Sequence, residues 1–332
     1  MNSQQATDQG SNVSNNILLS ICIPTYNRAQ ILSRTLQSIV NQNGFDNRCE
    51  IVISDNNSFD NTYSVVQEFL AKYSNIRYHR NSFTCKADMN FIVVANLARG
   101  RFIKLLNDNK EFLRGSLNIL LNIAENDECS VAFALHTPNP NKPKLIPCHS
   151  FDDFIREVGY QSPWLAGVML RRSLFQELDN KERAVDAQLA QTDIMFRILR
   201  KDNRSLVINE KLFSEIPIKY RGGYKFIDVH LNNYLALYEE YLRDGLLTQK
   251  TYEEDKVTLM NMILIRWYAL TVFKHKYFSY SLEGANKGII KHYGRSYFLF
   301  IFPSKMALFL IKTFIKKTKE FFINLVVSTP FF

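Results

Sequence analysis

Along the chain, short β-branched apolar runs that stop abruptly in polar turn residues alternate with longer stretches whose apolar residues recur every three to four positions. The clearest runs are Leu18 to Arg28, LLSICIPTYNR, and Ile51 to Thr62, IVISDNNSFDNT. Strands buried on both faces of a parallel sheet read this way, and in open α/β sheets the ligand sits at their carboxyl ends. A first strand is expected over 17–23. An amphipathic helix follows from Ala29 to Gln42, with Ile31, Leu32, Thr35, Leu36, Ile39 and Val40 on one face and Asn43-Gly44 as its stop. Cys49 to Ser54 reads as the second strand, Asn61 to Lys72 as a helix capped by Asp60, and Ile76 to His79 as a third strand.

The alternation continues. Lys86 to Ala98 reads as a helix, Arg101 to Leu106 as a strand running into Asn107-Asp108-Asn109-Lys110, Ser116 to Glu125 as a helix, and Cys129 to Leu135 as a strand. It predicts an α/β fold with a mainly parallel sheet and right-handed crossovers. The prolines and asparagines of His136 to Pro147 predict an irregular break. Beyond it come a helix near Phe151 to Val158, an apolar segment at Trp164 to Leu170, a helix from Ala187 to Arg200, a strand at Ser205 to Ile208, and a glycine loop at Tyr220 to Tyr224. From Phe226 the pattern is helical to the end, and no internal repeat is visible.

Composition adds a little. The chain has 332 residues, 46% of them apolar, enough for one large domain or two modest ones. A net charge of +9 suggests an anionic partner. The five cysteines, Cys22, Cys49, Cys85, Cys129 and Cys148, form no C-x-x-C pair, so neither a zinc site nor a disulfide framework is supported, and a reduced cytoplasmic compartment fits. Residues 1–15 are polar without an apolar h-region and read as a disordered lead. No uninterrupted apolar stretch reaches about eighteen residues, so no ordinary transmembrane helix is expected. Residues 297–332 read instead as a basic amphipathic tail. Met306, Ala307, Leu310, Ile311, Phe314, Phe321, Phe322 and Leu325 recur at helical spacing, with Lys305, Lys312, Lys316 and Lys319 on the other side. Such a helix suits an anionic bilayer surface, the alternative being packing on the protein itself. Nucleic acid is not expected as a partner, because the lysines cluster on this tail and no recognition motif accompanies them.

Four motifs stand in order: ICIPTYNR with Val40-Asn41-Gln42 behind it, EIVISDNNSFDNT, RNSFTCKADMNF, and ARGRFIKLLNDNKEFLRGSL. Together, over roughly Leu18 to Ser214, they resemble the family 2 glycosyltransferases, and within that family the deoxysugar transferases of O-antigen and capsule assembly such as abequosyltransferase. The resemblance implies a GT-A type, Rossmann-like sheet flanked by helices over 16–225, with a C-terminal helical extension over 226–296. It implies an inverting glycosyltransferase that moves a sugar from a nucleotide-sugar donor to a hydroxyl of a lipid-linked saccharide. Such an enzyme would work in the cytoplasm, peripheral on the inner face of the cell membrane.

The resemblance also assigns roles. Pro24, Thr25 and Tyr26 close the first strand, where backbone amides can meet a base and Tyr26 can stack on it; a plain strand-to-helix turn is the alternative. Arg28 falls in the same donor set. Asp55 can accept from a base nitrogen or a ribose hydroxyl, or can be a solvated turn residue. Arg80 and Lys86 could meet a diphosphate, and Asp88 can cap a helix or touch the sugar. Asp108 stands where family members carry two or three acids that hold Mg²⁺ or Mn²⁺. Here Asn109 is neutral and Lys110 is a cation. Either Asp108 and Asn109 hold the ion weakly, or Lys110 takes over part of its role, or Lys110 points to solvent. The usual base position carries Gln191, so Asp193 and then Asp186 are the candidate bases; Asp193 could equally cap its helix or pair with Arg197 at i+4. Trp164 could be a sugar platform or a core residue.

Two rivals remain at this point. One is a catalytically degenerate protein of the same fold that binds a nucleotide sugar or glycan within an assembly. The other is a nucleotidylyltransferase, against which TYNRAQ lacks the glycine-rich phosphate loop.

Overall fold

In chain order the main elements are β1 (Leu19–Thr25), α1 (Ala29–Val40), β2 (Cys49–Asp55), α2 (Thr62–Leu70), β3 (Ile76–Arg80), α3 (Ala87–Asn96), β4 (Phe102–Leu105), β5 (Lys110–Phe112), α4 (Ser116–Asn126) and β6 (Val131–Ala134). They continue as β7 (Leu145–Cys148), α5 (Phe151–Val158), β8 (Val168–Arg171), α6 (Arg172–Gln176), α7 (Ala190–Lys201), β9 (Ser205–Ile208), β10 (Phe213–Glu215), β11 (Arg221–Gly222), α8 (Tyr234–Arg243), α9 (Gln249–Leu259), α10 (Ile265–Val272), β12 (Phe278–Ser279), α11 (Ala285–Tyr293) and α12 (Phe302–Ser328). The computed structural model describes residues 17–218, 221–222, 225–273 and 278–328. The expected lead over 1–15, and Tyr220, Gly223 and Tyr224 of the glycine loop, lie outside the described residues. So do the side chains of Lys316, Lys319, Phe321, Phe322 and Leu325.

Eight strands form one sheet in the order β3-β2-β1-β4-β8-β6-β9-β7. β1 pairs in parallel with both β2 and β4, β2 with β3, and β6 with β9. β8 and β7 run against their neighbours. The sheet is therefore mostly parallel and mixed, flanked by helices, as the alternation predicted. Strand order reverses at β1, with β2 and β3 on one side and β4 on the other. That reversal opens a crevice at the carboxyl ends of β1, β2 and β4.

The two faces of the sheet belong to two cores. Ile21, Ile23, Ile51, Ile53 and Phe102 face α1, α2 and α4, while Cys22, Val52, Ile103 and Leu105 face α3, α5 and α7. This is the period of two that a strand buried on both faces requires. Tyr234, Tyr238, Tyr241, Leu264, Ile289 and Phe302 join the second core, so the C-terminal helices pack on the same face. Asp255 fixes them there. Its carboxylate accepts from Tyr238 Oη at 2.9 Å, Tyr234 Oη at 3.1 Å and the Tyr160 backbone N at 2.7 Å. Gly100 is required by close approach: a Cβ there would lie 2.7 Å from Ser20 N.

Four expectations need correction. The break at His136 to Pro147 ends in β7, which pairs antiparallel with β9 at the sheet's last position; an edge strand tolerates Pro147 because one of its sides has no partner. The helix expected from Ala187 begins at Ala190, since Gln188 takes a left-handed φ of 57° that cannot continue a helix. The C-terminal region is not uniformly helical, because β12 pairs with β11. Finally, Tyr297–Ile315 is long and apolar enough, by length and composition, to cross a membrane, although Lys305 and Lys312 interrupt the run. Phe302, Met306 and Phe309 of this stretch pack on the protein. Leu299, Phe300, Leu308 and Ile311 are exposed.

Candidate active site

The tips of β1 and β2 are joined by a web of short bonds that the S-x-D-x-T turn supplies. Asp55 is wholly buried; its Oδ1 accepts from Ser58 N at 2.8 Å, and its Oδ2 from Tyr78 Oη at 2.6 Å. Burial and Asp55 together push the Tyr78 phenol well up. Ser58 Oγ accepts from Asn27 N at 2.8 Å, and Asn27 Oδ1 accepts from Phe59 N at 2.9 Å. Asn27 and Asn57 take left-handed φ values of 52° and 63°, which asparagine tolerates better than most residues. Asp60 serves both helix starts: Oδ2 accepts from Ala29 N at 3.0 Å and Oδ1 from Thr62 N at 3.1 Å.

Above this web Tyr26 is exposed, with its ring edge-on to Phe59 at 6.4 Å between centroids. Pro24 and Thr25 stand level in the sheet with Ser54 and Asp55. Phe59 escaped the sequence reading, because nothing in a turn phenylalanine marks it as half of an aromatic pair. Arg80 folds back onto the turn, giving Ser58 O a hydrogen bond at 2.7 Å and Asn57 Oδ1 another at 3.1 Å. Its charge is thereby tied to the turn and not held out for a phosphate.

Asp108 lies just past β4. Its Oδ2 accepts from Thr25 Oγ1 at 2.9 Å, its Oδ1 pairs with Arg28 Nη1 at 2.7 Å, and its backbone O accepts from Thr35 Oγ1 at 2.6 Å. Burial pushes the Asp108 carboxyl above the usual carboxylate range, and Arg28 and then Thr25 pull it back. Asn109 Nδ2 faces Glu215 Oε1 at 3.4 Å and Ile216 O at 3.3 Å. Lys110 Nζ is buried, 3.2 Å from Glu215 Oε1 and 5.7 Å from the Trp164 ring centre. Lys110 does not point to solvent, and its charge is engaged by Glu215. The sequence could not indicate that partner, since it stands 105 positions further on across the β5–β10 pair.

The metal expectation at Asp108 and Asn109 fails a test of the donor set. A hard dication takes roughly six oxygens, and where a diphosphate and water supply the rest it still needs one or two protein carboxylates free to ligate. Here a single carboxylate is bound by a guanidinium and a hydroxyl, and the amide beside it is turned to Glu215. Among the described residues no group of three His, Cys, Asp or Glu is placed to hold a metal ion. These residues, as arranged, do not fit Mg²⁺ or Mn²⁺.

On the far side of the crevice α3 and α7 meet end to end. Asp88 Oδ2 accepts from Ala190 N at 3.0 Å, so it caps the start of α7 across 102 positions, and burial pushes its carboxyl up to about 6. Gln191 Nε2 donates to Pro163 O at 2.8 Å. The two candidate bases differ sharply. Asp193 is fully buried, with Oδ1 held by Arg183 Nε at 2.8 Å and Arg197 Nη1 3.7 Å from Oδ2. Asp186 is exposed and ion-paired with Lys86.

A mostly parallel sheet whose strand order reverses at β1, with a carboxylate just past the fourth strand bonded to the tip of the first, has the arrangement of a GT-A type fold. The solved structures agree. The chain aligns with S. aureus TarS 1-349 in complex with UDP at a TM-score of 0.55 and 14% identity, over 81% of this chain and 77% of that one. It aligns with the mannosyltransferase PcManGT of Pyrobaculum calidifontis, solved with GDP-Man and Mn²⁺, at a TM-score of 0.54 and 14% identity, over 87% and 86%. Residues 20–178 match the model of Glycosyl transferase family 2, so the chain carries a family 2 glycosyltransferase domain. Abequosyltransferase RfbV of Salmonella typhimurium is 39% identical over 31% of this chain and 32% of its own length. The GalNAc(5)-diNAcBac-PP-undecaprenol beta-1,3-glucosyltransferase of Campylobacter jejuni is 36% identical over 31% and 33%. The chain thus spans about a third of the length of these curated relatives.

Proposed function

We propose that the protein is an inverting glycosyltransferase that takes a nucleotide-sugar donor into the crevice beside β1 and delivers the sugar to a hydroxyl of a lipid-linked saccharide. The observation that carries this reading is the grouping of Thr25, level with Asp55 in the sheet and hydrogen-bonded to Asp108, at the strand tips where sheet order reverses. Tyr26 and Phe59 form an edge on which a nucleobase stacks, and Pro24 and Asp55 frame the nucleoside beneath it. The residues over 16–225 form the catalytic domain, 226–296 the helical extension, and 297–332 the tail that meets an anionic membrane surface on the cytoplasmic side.

In the transfer, the acceptor oxygen attacks the anomeric carbon from the face opposite the diphosphate. The bond from that carbon to the phosphate oxygen breaks, its electron pair leaves with the nucleoside diphosphate, and the acceptor proton passes to a carboxylate. That carboxylate must reach an incoming hydroxyl. Asp186 has the access for this. Asp193, enclosed by Arg183 and Arg197, holds the start of α7 in place. This reverses the order in which the sequence ranks the two.

The test is turnover of a nucleotide-sugar panel with lipid-linked saccharide acceptors, followed by the anomeric configuration of the product. Transfer with inversion, lost in Asp186→Asn, supports the reading. Tight donor binding without turnover on any acceptor supports a binding protein of the same fold, the reading that Gln191 at the usual base position favours.

A further inference from the structure

The crevice holds one carboxylate at the place where a bridging dication would sit, and a protein cation already occupies it. Arg28 stands between the tip of β1 and the first residue of α1. Its Nη1 meets Asp108 Oδ1 at 2.7 Å, and among the described residues Asp108 is its one side-chain partner. The Arg28 side chain is 39% exposed, against 4% for Asp108. A guanidinium has five N–H donors in a rigid plane. One is used here, so the remaining edge of the plane is open to a ligand entering the crevice. Asp108 is itself fixed from two further sides, by the Thr25 hydroxyl on its other oxygen and by the Thr35 hydroxyl on its backbone. The result is a relay, Thr25 to Asp108 to Arg28, that holds a permanent positive charge at a set place and angle.

We propose that Arg28 is the cation that receives the diphosphate of the donor, and that the donor is bound without a divalent metal ion. The inference rests on the donor-site reading above. Bidentate pairing suits a guanidinium to phosphate oxygens, and its charge persists at every pH the protein meets. Fixed in a partly dry crevice, it stabilises the negative charge that builds on the departing phosphate without needing to reorganise. Asp108 is then a positioning residue for Arg28. Among the described side chains, the other cations that the sequence offered to the donor already have partners: Lys110 has Glu215, Arg80 has Ser58 and Asn57, and Lys86 has Asp186.

Calorimetric titration of the full chain with UDP, GDP, CDP and dTDP, in excess EDTA and again with Mn²⁺ or Mg²⁺, tests this. Uridine, guanosine, cytidine and thymidine serve as phosphate-free controls. For the nucleotide that binds, the expected Kd agrees within about twofold with and without the chelator, and Mn²⁺ alone gives no heat. Arg28→Ala weakens the diphosphate roughly 10- to 100-fold, the size of a lost charge-assisted contact. It leaves the matching nucleoside unchanged, which shows that the crevice is still folded. Arg28→Lys, which keeps the charge and loses the plane, falls between. Binding that vanishes in EDTA, returns with Mn²⁺ and is indifferent to Arg28→Ala overturns the inference while the donor site stands. Absence of binding by every nucleotide under both conditions overturns the donor site and the inference together.

Discussion

Arg183 places Nε and Nη2 on the same oxygen of Asp193, at 2.8 and 2.5 Å, while the other oxygen is buried without a hydrogen bond. A carboxylate enclosed in this way is a strut between the 178–189 loop and α7. Asp193→Asn is expected to lower the melting temperature by several degrees, because Arg183 and Arg197 lose their shared counterion in a largely dry place. Asp186→Asn is expected to melt like the parent and to lose roughly 10²- to 10⁴-fold in turnover. Thermal melts and initial rates on both variants decide the matter. An Asp193→Asn protein of full stability and no turnover would return the role of base to Asp193.

The Lys110–Glu215 pair makes the opposite kind of claim about a charged residue in the crevice wall. Removing Lys110 takes a buried ammonium away from Glu215 Oε1 and from the face of Trp164, at a cost of about 1–3 kcal/mol once the partial exposure of Glu215 is allowed for. Lys110→Gln should therefore melt early and bind its nucleoside diphosphate within about threefold of the parent. A variant that melts normally but no longer binds the nucleotide would place Lys110 on the phosphates after all.

Asp88 gives a pH signature. Burial lets its folded carboxyl hold a proton up to about 6, whereas an aspartate in the unfolded chain loses it near 3.8. Between those values the folded state binds more protons than the unfolded chain, so this residue's contribution to stability declines as pH rises through that window. Above about pH 6 the penalty is fully present. Asp88→Asn keeps an acceptor for Ala190 N and removes the charge, so it should raise the melting temperature by a few degrees at pH 8 and by nothing below about pH 4. Equal melting curves for the two proteins across that range would show that the carboxyl titrates normally.

What could be read in advance follows from how local the cause is. β1, α1 and β2 are legible because strand and helix periods are written in adjacent residues, as with Leu32, Thr35, Leu36 and Ile39 on the buried face of α1. The placement of Thr25, Asp55 and Asp108 at one edge follows from strands ending where the apolar runs end. The charge partners are another matter. Nothing near Lys110 announces Glu215, nor does anything near Asp88 announce Ala190, because each pair forms only when distant strands or helices meet. Lys104 is the extreme case: nothing in the run Arg101 to Leu106 tells how a lysine in its middle is accommodated. In the structure it is fully buried, its ammonium donating to Leu105 O at 2.8 Å, Ala166 O at 2.5 Å and Val168 O at 3.1 Å. Burial pushes its pKa well below the usual lysine range. It ties β4 to the turn that carries Trp164.

Phe300 and Leu308 leave their side chains on the outside of a helix whose Phe302 and Met306 are anchored inside. On the membrane attachment proposed above, an enzyme held to a lipid sheet through these side chains would search for its acceptor in two dimensions. Its speed would then follow the mole fraction of acceptor in the sheet, not the acceptor's concentration in the tube. Diluting the vesicles with inert lipid would slow it even as the total amounts of enzyme and acceptor stayed fixed.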